Sequence, residues 1–524
     1  MTHLWVADCE TDPFEYLVIP QPFIWGAYNG REYHEFGSTD EFLDFITEID
    51  CVVYAHNGGK FDWFYCLHRL EEFEPLKVIS GRLAQFRIGN AEFRDSINIA
   101  PVALSAFQKE EFDYSLLNAE NRDKPEARIK IRDYLKSDCL NLFELVSNFR
   151  DNYGDKLTIA GSALSEWEKI SGKKAPETTA SFYESFSKFY YGGRTEVFKG
   201  GLYNSNLTVI DINSAYPYAM THRHPWGDSY TISDKLPGID AVQRSFINLR
   251  CVSYGALPFR SKTGLSFPND NDERDYFVTG WEYLAAVETK TIRDVEILSV
   301  TTFSDSIEFG DYVSHFFGLK SEAKRTGNKA DYLFAKLFLN GLYGKFAANP
   351  EKYDEFTVVR PEYIQDACET DGFSYCARIN KWALLSKPLH EDKHRFYNVA
   401  TAASITGFVR AYLWRAINQC RGVHYCDTDS IVCEDTGGLD LHPTELGAWD
   451  IEMVSDYGGF AGKKLYAMHG TGGNWKTASK GVNLSADEII RVAQGEVVRY
   501  LPEAPTFSLK RGISFIPRNI EKTA

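Results

Sequence analysis

Two aspartates stand two positions apart in VHYCDTDSIV, residues 423–432, with β-forming residues on both sides. Aspartate is depleted in strands and an unpaired buried carboxylate is costly, so Asp427 and Asp429 need a compensating charge. LTVIDINSAYPYAM places Asp211 at the end of another apolar, strand-like run. Three converging carboxylates favour Mg²⁺, a hard cation that accepts a few carboxylates together with substrate phosphates. We therefore expect the compensating charge to come from metal and not from the chain.

The local structure around Asp427 and Asp429 is predicted to be a hairpin tip. Alternate residues share a strand face, so both carboxylates could point the same way. A calcium loop fails on spacing, because its sixth residue would be Val432 instead of Gly and its twelfth Gly438 instead of Glu. An Asp-Thr-Asp surface turn without metal stays open on this short signal.

A second acidic set falls within the first 140 residues. ADCETD gives Asp8 and Glu10 at strand spacing, and Asp62 follows in NGGKFD. Tyr134 and Asp138 lie one helical turn apart on one face. Four carboxylates and a tyrosine suit a two-metal phosphodiester hydrolase, in which Tyr134 could orient the attacking water. Each residue alone is more often structural, and the order of the segments carries the prediction.

The elements that must position these residues follow from hydrophobic spacing. LWVADCE and CVVYAH predict strands, and residues 126–149 predict a helix with Leu135 and Leu142 on its apolar side. Residues 327–346 predict a second helix, which ends before Asn349-Pro350.

The second helix carries a candidate triphosphate site. Lys336, Asn340 and Tyr343 are four and three residues apart and share a face. Lys324 lies twelve residues before Lys336, so both amines meet one ligand if the helix begins early enough. A lysine pair suits a triphosphate, and Tyr343 suits a flat base. An exposed helix with solvated lysines is the alternative.

Composition bounds the class of protein. With 524 residues and 44% hydrophobic content, the chain can build several cores, and we expect about two to four domains. No apolar run reaches membrane-spanning length, no signal peptide is seen, and ten scattered cysteines without C-x-x-C indicate a reducing compartment. The formal net charge of −16 argues against binding phosphates.

Local charge differs from this average. Residues 320–345 carry six basic and two acidic side chains, and residues 460–480 carry four lysines and no acid. These segments predict basic stripes on an acidic body or, alternatively, two ordinary solvated faces.

Taken in chain order, the motifs resemble those of a family B DNA polymerase. DINSAYP, KLFLNGLYG and YCDTDS resemble its motifs A, B and C, and DCE, NGGKFD and YLKSD resemble its three exonuclease motifs. YYGG resembles the motif that links the two domains, and TGFVR and KLY resemble its primer-template contacts. The matches run in family order from residue 8 to about residue 480, and on them the chain is identified as a member of this family.

The resemblance implies a mixed α/β, multidomain fold. An RNase H-like 3′–5′ exonuclease domain is expected over residues 1–158, followed by a right-hand palm, fingers and thumb polymerase domain over residues 159–524. Within the second domain we expect the palm at about 159–224 and 400–480, a first insertion at about 225–312, the fingers at about 313–349, a second insertion at about 350–399 and the thumb at about 481–524.

The subtype resembles the protein-primed branch, found in replicases of small phages and linear plasmids. Cys426 in YCDTDS and Asn213 in D-x-N-S-x-Y-P are typical of that branch. Its first insertion is associated with terminal-protein contact and its second with strand displacement and processivity. KEEFDY resembles a further exonuclease motif in which Lys109 assists hydrolysis. Gly341 and Ala215 depart from the usual Ser and Leu, which leaves nucleotide fit and fidelity open.

The resemblance also implies roles for individual residues. Asp211 and Asp429 would hold two Mg²⁺ ions with Asp427 in support, and Mn²⁺ is the expected substitute. Metal in the exonuclease domain would be held by Asp8, Glu10 and Asp138, with Asp62 and Tyr134 also catalytic. The residues implied to contact the nucleotide are Tyr216, Lys324, Lys336, Asn340 and Tyr343, of which Tyr216 would exclude a 2′-hydroxyl. Those implied to contact DNA are His56, Asn57 and Phe61 for the frayed strand, and Tyr190, Gly192, Gly193, Thr406, Arg410, Lys464, Tyr466 and Lys480 for primer and template.

The expected activity is template-directed DNA synthesis with 3′–5′ proofreading. The expected partners are a DNA primer-template, dNTPs and a terminal protein that serves as primer. No membrane partner is expected, and the chain should act as a monomer in the host cytoplasm. A nucleic-acid-primed family B replicase and a non-catalytic DNA-binding replication factor are the alternatives.

Overall fold

Two large β-sheets organise the part of the chain that the computed structural model describes, residues 3–104, 112–262 and 264–523. The predicted strands at the N-terminus belong to the first sheet, where His3–Thr11 pairs in parallel with Cys51–Ala55. Cys51–Ala55 is buried at every position, as a continuous apolar run in a parallel sheet should be. The ten strands of this sheet, in spatial order, are Ser374–Ile379, Trp382–Pro388, Asp354–Val359, Pro75–Ile79, Arg82–Ile88, Ala91–Asp95, Cys51–Ala55, His3–Thr11, Pro22–Tyr28 and Tyr33–Phe36.

A long helix covers one face of this first sheet. It spans Pro125–Tyr153, packs against His3–Thr11 and buries Leu135 and Leu142, which confirms the helix predicted over residues 126–149. Proline at its start costs nothing because the first N–H groups of a helix have no internal partner. Gly154, with a φ of 81°, ends it in a conformation that favours glycine.

Three strands of the first sheet come from far along the chain. Asp354–Val359 pairs antiparallel with Pro75–Ile79, and the Arg360 guanidinium donates two hydrogen bonds to a carboxylate oxygen of Glu72. Phe507, from a hairpin near the C-terminus, packs in the same core. The segment expected as a second insertion therefore extends the sheet of the N-terminal domain, which the sequence did not predict.

The second large sheet carries Asp211 and the Asp427–Asp429 segment. Its central strand, Leu207–Ile212, lies between Ser430–Asp435 and Trp449–Gly462 and is antiparallel to both. The strands, in spatial order, are Trp475–Ser479, Leu465–Gly470, Trp449–Gly462, Leu207–Ile212, Ser430–Asp435, Arg421–Asp427 and Thr195–Val197, with Gly201–Tyr203 paired to Trp449–Gly462.

The hairpin predicted at YCDTDS is present, but its turn is tighter than strand alternation assumes. Asp427 pairs with Ser430, so Thr428 and Asp429 form a two-residue turn. Thr428 has a φ of 61°, the left-handed conformation that such turns require. Because Asp429 lies in the turn, the prediction that it shares a strand face with Asp427 is wrong.

The helix predicted over residues 327–346 begins at Lys329 and ends at Phe346, and a separate helix precedes it. That preceding helix, Gly310–Thr326, ends at Gly327, whose φ is 75°, and the Asn328 side chain caps the next helix. Lys324 and Lys336 therefore lie on two helices of a hairpin, which corrects the expectation that one helix carries both.

The long, mostly buried helix Val399–Gln419 contacts both a four-stranded sheet and the strand Arg421–Asp427 of the second large sheet. No helix in the described ranges is long and apolar enough to span a bilayer. The four-stranded sheet has the order His224–Ser233, Ile292–Ile307, Ser245–Tyr254 and Asn269–Thr279. Two-stranded pairs are Phe259–Ser261 with Gly264–Ser266, Val498–Tyr500 with Arg518–Ile520, and Thr506–Ser508 with Gly512–Ser514. The other α-helices of the described residues are Thr39–Ile46, Asp62–Cys66, Ile159–Ser171, Ala180–Ser187, Ala215–Met220, Ile239–Val242, Gly280–Glu288, Ile364–Thr370 and Ala486–Ala493.

Candidate active sites

The first sheet brings three predicted metal ligands together. Asp8 and Glu10 alternate along His3–Thr11, and Asp138 comes from the helix that packs on this strand. Each offers one carboxylate oxygen, and the three oxygens lie within 4.8 Å of one another. A set of hard oxygen donors at this spacing fits a divalent cation such as Mg²⁺ or Mn²⁺.

The electrostatics of this group also fit a cation. Burial, followed by the charges of Asp62, Asp138 and Glu10, raises the pKa of Asp8 well above its ordinary value. Burial, then Asp138 and Asp62, raises the pKa of Glu10 to about 8. Burial raises the pKa of Asp62 to about 7, although the Cys9 thiol donates a hydrogen bond to it at 3.2 Å. A nearby cation would favour the charged carboxylates, since opposite charge lowers their pKa.

Tyr134 lies beside these carboxylates on the long helix. Its ring stacks on Phe112 at 4.2 Å between centroids, and its hydroxyl is 3.4 Å from that of Tyr114. Burial, then the Tyr114 hydrogen bond and the charge of Asp138, raise the pKa of Tyr134, so its hydroxyl stays protonated. Lys109, predicted to assist hydrolysis, lies outside the described residues.

The three residues predicted to hold a frayed strand differ in how their side chains are exposed and in which protein groups they already contact. Both ring nitrogens of His56 are within hydrogen-bond distance of protein oxygens, Ser96 Oγ at 2.9 Å and the Val102 carbonyl at 2.8 Å. His56 is therefore bonded within its own loop but is only partly buried, and its contact with a frayed strand stays a prediction. Asn57 is exposed with a φ of 65°, and its side-chain oxygen accepts from Arg82. The half-exposed ring of Phe61 packs edge-on against Phe14 and Phe507.

The second acidic group joins Asp211 and Asp429. The Ile212 N–H donates to the Asp429 carbonyl at 2.9 Å, so the two aspartates lie on directly adjoining segments. Burial and then the charge of Asp429 raise the pKa of Asp211 to about 7. Burial and then the charge of Asp427 raise the pKa of Asp429 to about 6. Two adjacent, partly buried carboxylates suit a divalent cation.

Asp427 has a partner within the chain. The Lys464 ammonium donates to both of its carboxylate oxygens, at 2.7 and 2.8 Å, and the Thr195 hydroxyl donates at 2.9 Å. The prediction that metal alone supplies the compensating charge is therefore wrong for Asp427. Lys464, which was predicted to contact DNA, is thus engaged in an ion pair with Asp427 within the protein.

Two charged residues beside Asp211, Glu452 and Lys476, were not predicted from the sequence. The strand pairing of Leu207–Ile212 with Trp449–Gly462 shifts between Val209 and Ile210, which leaves Glu452 as an extra, unpaired residue. Bulges of this kind re-aim side chains next to active sites. Glu452 contributes to the raised pKa values of Asp211 and Asp429, and it forms an ion pair with Lys476. The only sequence signal is the acidic residue pair in WDIE.

The helix hairpin gathers three lysines, of which sequence analysis named two. The Lys320 ammonium donates to the Ser214 hydroxyl at 3.1 Å, three residues from Asp211. Burial, then the charges of Lys336 and Lys324, lowers the pKa of Lys320. The signal for Lys320 is its spacing of four residues before Lys324, which puts both on one helix face.

Two predicted nucleotide-binding tyrosines meet next to these lysines. The rings of Tyr216 and Tyr343 are stacked, with centroids 4.4 Å apart and an interplanar angle of 11°. Burial raises the pKa of Tyr216 to about 12. Asn340 is exposed, and its amide donates to the Lys336 carbonyl one turn earlier.

Comparison with known proteins assigns the chain to a family. The profile of the family "DNA polymerase type B, organellar and viral" matches residues 89–383. The DNA-directed DNA polymerase of Enterobacteria phage PRD1 is 35% identical over 98% of this chain and 97% of its own length. The chain belongs to the type B family of DNA polymerases. The DNA polymerase of Bacillus phage phi29 is 25% identical over 88% of this polymerase and 84% of its own chain.

A solved structure extends the comparison to the fold. The phi29 DNA polymerase complexed with primer-template DNA and incoming nucleotide superposes with a TM-score of 0.77, at 18% identity, over 100% of both chains. The predicted family, its protein-primed branch and the mixed α/β fold with exonuclease, palm, fingers and thumb are confirmed. This polymerase is an enzyme of DNA synthesis, and polymerases of its family are metal-dependent.

The residues predicted to contact primer and template fall into two groups in this polymerase. Gly192 and Lys480 are exposed, and Tyr190 and Gly193 are half-buried. Thr406 and Arg410 are each only 2% exposed, so neither can reach a DNA backbone, and their predicted contact is corrected to an internal role. Tyr466, 9% exposed, packs against Tyr425, and both residues lie on strands of the second large sheet.

Proposed function

We propose that this polymerase adds dNTPs to a DNA 3′ end at Asp211 and Asp429 and removes mispaired 3′ ends at Asp8, Glu10, Asp62 and Asp138. The observation that carries this proposal is the presence of two acidic groups on two different sheets, both with carboxylate pKa values raised by burial and mutual repulsion. Two such groups support two separate reactions on the phosphodiester backbone of one substrate.

Both acidic groups fit Mg²⁺ or Mn²⁺ by the chemistry of their donors. Asp211 and Asp429 would hold the metal of the polymerising site, and Asp8, Glu10 and Asp138 that of the exonuclease site. When bound, such ions neutralise phosphate charge and lower the pKa of the attacking hydroxyl or water. Asp427, tied to Lys464, would keep the turn that carries Asp429 in place.

The side chains around the polymerising site suit the parts of a dNTP. Lys320, Lys324 and Lys336 would hold its phosphates, because an ammonium group is a compact donor of charge-assisted hydrogen bonds. The Tyr216 ring would lie against the deoxyribose and exclude a 2′-hydroxyl. Tyr343, stacked on Tyr216, would pack against the base, with Asn340 on the same helix face.

In the exonuclease site, Asn57 and Phe61 would hold the unpaired strand. An aromatic ring suits an unstacked base of any sequence. The Tyr134 hydroxyl, kept protonated, would orient the attacking water by hydrogen bonding. Residues 1–158 would form the exonuclease domain and residues 159–524 the polymerase domain. The strand Asp354–Val359 of the polymerase domain pairs with the sheet of the exonuclease domain.

Primer and template would be contacted through their phosphates by Tyr190, Gly192, Gly193, Lys464 and Lys480. Binding should therefore be independent of sequence and sensitive to salt. We further propose that the polymerase acts as a monomer in the host cytoplasm and starts synthesis on the hydroxyl of a terminal protein, as the protein-primed branch does.

The priming proposal is tested by incubating the polymerase with a candidate terminal protein, labelled dATP and Mg²⁺. A labelled protein that survives denaturing electrophoresis is the expected product. Extension of an annealed oligonucleotide in the same preparation is the control for activity. Extension without any labelled protein, over a panel of candidate proteins from the same genome, would favour the nucleic-acid-primed alternative.

A further inference from the structure

A buried ion pair joins the segment expected as the first insertion to the polymerase core. Glu282 lies on the helix Gly280–Glu288, and Arg410 lies on the helix Val399–Gln419. Arg410 Nε donates to a Glu282 carboxylate oxygen at 2.7 Å, and both side chains are only 2% exposed. A fully buried guanidinium needs such a counter-charge.

Arg410 also donates hydrogen bonds to Tyr190–Gly193, the loop that links the two domains, while its Nη2 has no hydrogen-bond partner among the described residues. Its Nη1 donates to the carbonyls of Tyr191 and Gly192 at 2.6 and 2.9 Å. A second arginine, Arg260, also lies in the first insertion and donates to the Tyr190 carbonyl at 2.6 Å. Three successive carbonyls of this loop are thus bound by arginines.

Peptide planarity converts these contacts into an orientation for the loop. The carbonyl of one residue and the N–H of the next point in opposite directions. Because the carbonyls of Tyr191 and Gly192 point at Arg410, the N–H groups of Gly192 and Gly193 point away from it. Two adjacent backbone N–H groups on one side of a loop suit a phosphate.

The same loop is fitted against the turn that carries Asp429. A Cβ added to Gly193 would lie 2.8 Å from the Thr428 side chain, so only glycine permits this approach. The Thr428 N–H donates to the Arg194 carbonyl at 2.6 Å. The loop is therefore held on one side by this turn and on the other by Arg410.

The Glu282 carboxylate is hydrogen-bonded through both of its oxygens, one to Arg410 and one to the start of its own helix. One carboxylate oxygen accepts from Arg410, and the other accepts from the Thr279 N–H and hydroxyl, both at 2.9 Å. The carboxylate is thereby fixed at the start of its helix, and it fixes the guanidinium in turn. Arg410 cannot move away without leaving a buried carboxylate unpaired.

We propose that Glu282 is a positioning residue for primer-template binding, acting through Arg410 on the Tyr190–Gly193 loop. The inference rests on the proposed contact of that loop with DNA. It assigns the first insertion a part in DNA synthesis itself, whatever primer is used.

The test variant is Glu282→Gln. Glutamine can still cap the helix, as in a capping box, but removes the charge that faces Arg410. The dissociation constant for primer-template, measured by gel shift, should rise by about tenfold. The kcat at saturating primer-template and dNTP and the degradation of single-stranded oligonucleotide, both measured well below the melting temperature, should stay near those of the wild type. The melting temperature itself should fall, because a buried guanidinium loses its counter-charge.

Glu288→Gln is the matched control. Glu288 lies on the same helix and pairs with Arg415 of the same partner helix, but that pair is exposed and touches no loop carbonyl. Its primer-template affinity should be unchanged. In an Arg410→Gln background, adding Glu282→Gln should cause no further loss, because the proposed effect passes through Arg410.

Several results would overturn the proposal. One is wild-type affinity in a folded Glu282→Gln variant, and another is a loss of single-strand degradation in parallel with affinity. If Glu282→Gln does not fold, Glu282→Asp keeps the charge with a shorter reach and should weaken binding by about threefold. A folded Glu282→Asp variant with wild-type affinity would then exclude the role.

Gly192→Asp separates this inference from the DNA contact on which it depends. A Cβ at Gly192 meets no atom within 4 Å, so the variant should fold, and its charge should repel a nearby phosphate. Normal DNA binding by Gly192→Asp would remove the loop contact itself. Weakened binding by Gly192→Asp with normal binding by Glu282→Gln would remove only the role of Glu282.

Discussion

Lys464 and Asp427 form an ion pair in which one ammonium faces both carboxylate oxygens, at 2.7 and 2.8 Å. Asp427 and Asp429 are two residues apart, yet only Asp427 has a cationic side chain bonded to it in the described chain. The chain thus neutralises one aspartate of YCDTDS and leaves the other, next to Asp211, as a candidate for metal.

Removing the ammonium should destabilise the protein. The Asp427 side chain is 17% exposed, so Lys464→Met leaves a mostly buried carboxylate without its main partner. We expect the free energy of unfolding to fall by about 1–3 kcal/mol, measured by urea denaturation. Asp427→Asn in the Lys464→Met background should recover most of the loss, because the Thr195 hydroxyl still has an acceptor.

Lys463→Met is the control for this prediction, since Lys463 is exposed and adjacent in sequence. It should leave stability within about 0.5 kcal/mol of the wild type. Equal losses from Lys463→Met and Lys464→Met would contradict the importance of the ion pair.

The two acidic groups should separate two activities. Asp429→Ala should abolish primer extension, by a factor of about 10³ or more, while 3′–5′ degradation of single-stranded DNA continues. Asp8→Ala combined with Glu10→Ala should do the reverse. Each variant serves as the folding control for the other, and loss of both activities in either one would refute the assignment of two sites.

The residues of the short motifs could be predicted because the local sequence pattern determines whether each of them lies on a strand or on a helix. Asp8 and Glu10 follow strand spacing, and Asp138 follows helix spacing, so the packing of one element on the other brings them together. The protein-primed family B identification rested on the order of such motifs along the chain. No long-range contact had to be known.

The partners of these residues could not be predicted, because they depend on strand register and tertiary packing. Lys464 reaches Asp427 across 37 residues, and Glu452 approaches Asp211 only because a bulge interrupts the strand pairing. Arg410 was expected at the DNA because its motif resembles a DNA contact. Its burial follows from the packing of its helix against the helix of Glu282, which periodicity cannot assign.

Metal-free protein should lose stability as pH rises. The folded pKa values of Asp211 and Glu10 are about 7 and about 8, above the unfolded values of about 4, so the folded state binds more protons between these limits. This contribution to stability is complete below about pH 4 and is lost as pH rises through the folded pKa values. The melting temperature in EDTA should therefore decline between about pH 5 and pH 8.

Added Mg²⁺ should reduce that decline, because a cation bound to the folded state stabilises the charged carboxylates. The control is Asp211→Asn combined with Glu10→Gln, which should show a shallower decline in EDTA. A melting temperature in EDTA that rises over this range in the wild type, but not in the double variant, would contradict the raised pKa values.

Gly341 is a site where one added methyl group should stabilise the protein. It lies inside the helix Lys329–Phe346, and a Cβ there would meet Ala160, Ala163 and Ile159 at 3.8 Å, an ordinary contact distance. Glycine inside a helix costs about 0.5–1 kcal/mol relative to alanine. Gly341→Ala should raise the free energy of unfolding by that amount, and a decrease would indicate that the helix needs its freedom at this position.

Lys320 should contribute to nucleotide binding as much as the two lysines predicted from sequence. It is half-buried, bonded to Ser214 and within reach of the charges of Lys324 and Lys336, so a triphosphate placed there would relieve the repulsion among three ammonium groups. Lys320→Met should raise the KM for dNTP by about tenfold, measured by steady-state primer extension, with little change in primer-template affinity. Lys329→Met, at the exposed start of the next helix, should change neither quantity. An unchanged KM in Lys320→Met would place the triphosphate elsewhere and leave Lys320 as a support for the turn after Asp211.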